Sequence, residues 1–206
     1  MIDPSLLRLS ELELDALTEL INIGIGRAAA SLALMCHEPV TLTVPALSTV
    51  TPEQAAEMIG GARVGRVVAV EQDYAGDVSG RALLIFPEVN SLELVRAVAG
   101  EDVPAADIPS LATEALLETG NVVLQSCLGT LANMLHRQLE ISTPRLTEGR
   151  AREIFPRVSQ DGVLFVYINF TVRGRRIRGY IALLMDLAAL GALKLLVSEF
   201  VKRETE

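Results

Sequence analysis

Residues 15–22 read DALTELIN and residues 114–121 read EALLETGN, and the 99 positions between them organise the whole chain. Glu19 recurs as Glu118 and Asn22 as Asn121. The same separation returns at His37 and His136, Pro45 and Pro144, and Gly80 and Gly179. Leu17 with Leu116, Leu32 with Leu131 and Leu84 with Leu183 stay in step. An ungapped register across the half-chain reads as an internal duplication, and duplicated halves pack about a pseudo-two-fold axis. The expected organisation is one domain over residues 1–206 made of two repeats, about 9–108 and 109–206.

Working outward from the first stretch, Leu14, Leu17, Ile21, Ile25, Ala28, Leu32 and Met35 recur at steps of three and four. That is the core-facing stripe of a long helix from about Ser10 to His37, with Ser10 and Glu13 spaced as a capping box. The β-branched runs PVTLTVPALSTV, RVGRVVAVEQ and SGRALLIF follow, punctuated by Thr51-Pro52 and Gly60-Gly61, and read as strands. A helix over Pro87 to Val98 ends at Gly100, and the acidic segment EDVPAADIPS serves as a connector. The order then repeats: a long helix from Ser110 to about Arg137, strands ISTPRL, GVLFVYINFTV and IRGYIALLM, and a closing helix from Leu187 to about Lys202. The expected fold class is α+β, with a central, mostly antiparallel sheet and two long helices on one side.

Composition narrows the function. The chain has 206 residues, 50% hydrophobic and 21% charged, far too apolar for disorder and long enough to bury a core without staples. Twenty-six acids against 18 bases give a net charge of −8, which repels a phosphate backbone and argues against nucleic acid. Charged residues break the apolar runs before a bilayer span is reached, and the N-terminus MIDPSLLRLSELELD has acids where a signal peptide needs bases. A cytoplasmic protein without a membrane span is expected. Cys36 and Cys127 lack C-x-x-C spacing and read as buried, reduced thiols.

The polar seams carry the candidate chemistry. Asp15, Glu19, Asn22 and Gly26 share one face of the first helix, and Glu114, Glu118, Asn121 and Gln125 share one face of the second. One Glu-x-x-Asn pair alone reads as a solvated face; its return at the same point of the repeat, with a proline 23 positions after each Asn, reads as a site. Gly24 and Gly26 follow the first Asn, where close helix packing and close approach of a partner's backbone are both open readings. His37 and His136 suit the negative ends of their helices. Ser31 and Ser126 lack a neighbouring base, and no glycine-rich phosphate loop follows a strand, which argues against nucleophilic catalysis and nucleotide binding. The run RGRRIRG from Arg173 to Gly179 reads as a hairpin turn that offers an acidic partner a docking patch.

These residues resemble the duplicated signature of the CheC/CheX/FliY chemotaxis phosphatases, over about Leu9 to Val201. Asp15, Glu19, Asn22 and Pro45 match the first copy and Glu118, Asn121 and Pro144 the second, while Glu114 stands where that family has Asp or Ser. The resemblance implies a duplicated CheC-like fold and hydrolysis of the aspartyl phosphate on a CheY-like response regulator. It implies that Asn22 and Asn121 orient the attacking water and that Glu19 and Glu118 pair with the regulator's active-site lysine. No cofactor is implied on this chain; Mg2+ is expected on the regulator. A CheD-like deamidase is a further implied partner. Flagellar switch proteins resemble the same fold, so a non-catalytic regulator-binding or switch-like interaction module is the alternative.

Overall fold

The computed structural model describes residues 9–60, 66–100, 103–155, 162–172 and 174–205. Gly61, residues 63–65 of the second expected strand, Glu101 and Asp102 of the connector, and Arg173 of the basic run lie outside the described residues. In chain order the elements are α1 (Glu11–Cys36), β1 (Val40–Val50), α2 (Pro52–Gly60), β2 (Val67–Gly76), β3 (Gly80–Pro87) and α3 (Glu88–Ala99). Then follow α4 (Ile108–Met134), β4 (Leu139–Ile141), β5 (Arg145–Gly149), α5 (Ala151–Ile154), β6 (Gly162–Val172), β7 (Arg175–Met185) and α6 (Leu187–Thr205). The second half thus repeats the element order of the first, with β4 and β5 together in the place of β1.

Each long helix begins and ends for local reasons. At the start of α1 the Glu13 N–H donates to the Ser10 hydroxyl at 3.3 Å and the Ser10 N–H to the Glu13 carboxylate at 2.7 Å, the capping box the sequence announces. At its end His37 adopts a left-handed φ of 53°, and His136 after α4 adopts 55°. Two orphan carbonyls are met by the residues that follow: the Glu38 N–H donates to Ala33 and the Arg137 N–H to Ala132, again 99 apart. The two histidines therefore act through their backbones; among the described residues neither imidazole bonds a last carbonyl. Histidine is among the residues that tolerate this region best after glycine.

The sheet shows how the halves interlock. Its order is β1-β6-β7-β3-β2-β4, with β5 also on β2, and every pairing among the described residues is antiparallel. At the centre Leu83 of β3 faces Ala182 of β7, its own counterpart 99 positions on, and Arg81↔Leu184 mirrors Ile85↔Tyr180. A local two-fold therefore passes through this pair. The first strand of each half crosses over to the second strand of the other: β1 lies on β6, and β4 and β5 lie on β2. The register shifts once within β1, between Thr43 and Ala46, around Pro45, which has no N–H to give a ladder. At the matching place around Pro144 the strand breaks into β4 and β5, so ISTPRL is not one strand as expected. The 99-residue register is also not ungapped. Ala46 faces Tyr167 and its counterpart Arg145 faces Glu71, a pair 96 apart.

Helices cover both faces. One core cluster lies between the sheet and α1, α3, α4 and α6, where Leu17, Ile21, Ile25 and Leu32 are each at most 2% exposed. The opposite face carries a second cluster under α2 and α5, through Ala55, Ala56, Ile59, Ala151, Ile154 and Phe155. The reading of two helices on one side therefore missed these short ones. Their signals are in the sequence: Thr51 and Gln54 cap α2 reciprocally, at 2.9 and 3.2 Å, and Glu153 accepts the Arg150 N–H at the start of α5. By length and composition α1 also reaches the threshold for a membrane span, against the expectation that every apolar run is broken too early; in the fold its stripe faces α4 and the sheet.

The two glycines after Asn22 separate cleanly. A Cβ on Gly24 would stand 2.9 Å from the Cys127 Cα and 3.1 Å from the Ser126 carbonyl oxygen, whereas one on Gly26 would meet nothing within 4 Å. Helix packing requires the first; the second is open surface. Gly24→Ala is expected to lower the thermal unfolding midpoint, because the two nearest atoms the new methyl would meet belong to the α4 backbone, which cannot give way as a flexible side chain would. Gly26→Ala is expected to raise it, by the equivalent of about 0.5–1 kcal/mol of helix propensity. Parallel thermal melts of the two variants check both signs.

Candidate active site

The first seam lies wholly at the surface. Asp15, Glu19, Asn22 and Gly26 are all exposed, while Leu17, Leu20, Ile21, Gly24 and Ile25, interleaved with them, are buried. Among the described residues nothing bonds the Glu19 carboxylate or the Asn22 amide. Each buried Leu or Ile contributes about 1.5–3 kcal/mol, so the stripe fixes the rotation of α1. Two free polar side chains one turn apart are thereby presented outward.

The second seam differs in one position. Residues that must enter a partner's pocket are expected to be solvent-exposed, Glu19, Asn22, Glu118 and Asn121 alike; Glu114, Glu118 and Gln125 are exposed, but Asn121 is half-buried and bonded within the fold, which corrects that expectation. Its Oδ1 accepts from Gln125 Nε2 at 2.8 Å and from Gln72 Nε2 at 3.1 Å. Gln72 is fully buried on β2 and also donates to the Ser142 carbonyl at 2.8 Å; its own Oε1 has no partner among the described residues. Removing Asn121 therefore strips a bonded group, whereas removing Asn22 strips a solvated one.

A shallow cleft of about 570 Å³ runs along the second seam, lined by Thr113, Glu114, Leu117, Glu118, Asn121 and Pro144 among others. The proline singled out by its spacing therefore does lie beside its Glu-x-x-Asn pair. Gln72 was missed. Its signal is the alternation of β2, where Val68, Val70 and Tyr74 share the core-facing register and an amide stands among them.

β2, which carries Gln72, and β5, which begins just after Pro144, are tied by charge. Arg81 Nε donates to Asp73 at 2.8 Å and Arg145 Nη2 to the same carboxylate at 2.7 Å, while Arg145 also reaches Glu71 at 3.3 Å. The Arg81 hydrogen bond, then that of Arg145, holds the Asp73 carboxyl below the usual carboxylate range. Burial pushes the Cys127 thiol up to about 12, and no group of three or more His, Cys, Asp or Glu suited to a metal occurs among the described residues. The exposed Arg175, Arg176 and Arg178 do follow a hairpin turn, at Gly174, and Arg178 lies 5.8 Å over the Tyr167 ring.

No family model matches the sequence. The curated relatives are more telling. The CheY-P phosphatase CheC of Bacillus subtilis (strain 168) is 27% identical over 161 residues, which span 76% of this chain and 74% of that protein. The chain is similar to members of the CheC/CheX/FliY family. In extent it is CheC-like. The flagellar motor switch phosphatase FliY of the same strain is 28% identical over 173 residues, 80% of this chain but only 43% of that longer protein. Among solved structures, Thermotoga maritima FliY matches with a TM-score of 0.74 at 18% identity, covering 93% of this chain and 98% of that one. The FliM middle domain from H. pylori matches at 0.60 and 9% identity, over 91% and 99%. These structural likenesses establish the CheC-like fold.

A carboxyl whose folded pKa is depressed adds stability that is present above its unfolded value and is lost as pH falls through the folded one. Wild-type stability is therefore expected to fall below about pH 4, where Asp73 of the unfolded chain takes up its proton while the folded carboxyl still resists it. Asp73→Asn should flatten that decline. Urea midpoints collected from about pH 6 down to about pH 3 for both proteins measure the difference in slope.

Proposed function

We propose that this chain is a phosphatase that hydrolyses the aspartyl phosphate of a CheY-like response regulator in the cytoplasm, using Glu19, Asn22, Glu118 and Asn121. The observation that carries the reading is the exposed, unbonded Glu19–Asn22 pair on a helix whose rotation the core fixes. The name of the CheC relative supports the substrate. An acyl phosphate is already activated, so the catalyst has chiefly to hold a water in line with phosphorus. A neutral amide suits that task, because its oxygen accepts a water O–H without adding charge near the phosphoryl group. Glu19 and Glu118, one turn away, pair with the regulator's active-site lysine and set the helix against its pocket. Exposure matters because the substrate is a folded protein. Mg2+ belongs to the regulator in this scheme, a CheD-like deamidase is a second partner, and residues 9–108 and 109–206 form one duplicated domain.

One observation favours a second reading. The FliM middle domain shares the fold, so the architecture also serves a protein whose name claims no hydrolysis. A binder would leave regulator dephosphorylation unchanged or slow it.

The decay of labelled, phosphorylated CheY with and without this protein decides between them. Acceleration is expected. Asn22→Ala should remove the larger share, Asn121→Ala a smaller one, and the double variant should return the decay to the regulator's own rate. Asn22→Ala should change stability by less than about 0.5 kcal/mol; Asn121→Ala should cost about 1 kcal/mol, because it strips partners from two glutamine amides. Glu19→Lys should raise KM through repulsion of the regulator's lysine, with kcat less affected. Full activity in a folded Asn22→Ala, Asn121→Ala double variant would refute the mechanism.

A further inference from the structure

The amide of Asn121 is oriented by a chain of hydrogen bonds that allows no alternative. The Ser142 carbonyl can only accept, so the Gln72 atom 2.8 Å from it is Nε2. That same nitrogen lies 3.1 Å from Asn121, which must therefore present its oxygen. Gln125 adds a second donor to that oxygen at 2.8 Å. An amide oxygen has two lone pairs, and both are taken. Gln72 stays fully buried with an unpartnered Oε1, a cost of the kind that packing alone does not require.

The first half has neither donor. Gly26 stands at the position of Gln125, and the counterpart of Gln72 is Ile168 when β2 and β6 are matched through β5 and β1, or Val166 when they are matched through β3 and β7; both are fully buried core residues without a donor. Asn22 keeps its oxygen free to accept a water O–H, whereas Asn121 has only its N–H groups to offer. Those can donate to a phosphoryl oxygen, but they cannot draw a water's proton away from phosphorus.

Resting on the phosphatase reading above, we infer that Gln125, together with Gln72, is a positioning residue that holds Asn121 as a donor-only amide. The second site then engages the partner's phosphoryl group and activates water slowly, and one freed lone pair is enough to convert it into a site of the first kind.

The test uses the full chain with the first site disabled. Phosphorylated CheY is titrated against wild-type protein, Asn22→Ala, and Asn22→Ala combined with Gln125→Ala. Gln125 is exposed, so its loss leaves the core intact; Gln125→Met, which keeps the stem and drops the donor, is the second version. The expected result is a rise in kcat of about fivefold over Asn22→Ala alone, the equivalent of one hydrogen bond, at unchanged KM. A purely structural role for Gln125 would give no such rise. Equal or lower kcat with both substitutions, or an Asn22→Ala variant as active as wild type, overturns the inference and leaves the phosphatase reading standing. Wild-type protein that fails to accelerate the decay overturns both.

Discussion

The close crossing of α1 and α4 at Gly24 is the constraint on which the arrangement depends. With no side chain at that point, one helix lies against the Cys127 backbone of the other, and Arg27 reaches across to the Thr130 hydroxyl at 3.2 Å just beyond. Neither helix can roll without exposing a stripe whose burial far outweighs any single polar contact on the surface. The polar seams are therefore held by the core, although they take no part in it. That is the arrangement a protein needs when it must insert a few side chains into another folded protein's pocket.

The frame built around this crossing is close to two-fold symmetric, and its decoration is not. Leu83 against Ala182, the paired helix ends at His37 and His136, and the register change at Pro45 answered by the break at Pro144 all belong to the frame. On the sheet face away from the long helices, the first half carries the ionic group of Glu71, Asp73, Arg81 and Arg145. The cross-strand pair that answers Asp73 and Arg81 in the second half is Tyr167 and Tyr180, with rings 5.3 Å apart, and Ala46 stands in the place of Arg145. The same divergence separates a free Asn22 from a tied Asn121. The two halves share a backbone frame and carry different side chains on it.

Much of this was legible along the chain. The long helices follow from three- and four-residue spacing and from Ser10 with Glu13, because capping and amphipathic periodicity are local. The strands follow from β-branched runs, and the candidate pairs from their return after 99 positions, since repetition is a property of sequence alone. The short α2 and α5 were also marked, by Thr51 with Gln54 and by Glu153, but helices of so few residues owe their existence to the sheet face they cover, and their periodicity is too brief to stand out.

What the sequence determined by itself is therefore the local order, the repeat, and which side chains face away from the core on α1 and α4. Only the tertiary structure decided that each half lends its first strand to the other, that Gly24 is a packing requirement while Gly26 is open surface, and that Asn22 is free while Asn121 is bound. Gln72 lies 49 positions from Asn121 and 70 from Ser142. Bonds across such separations are set by how strands and helices pack, and nothing in the spacing of residues along one element records them.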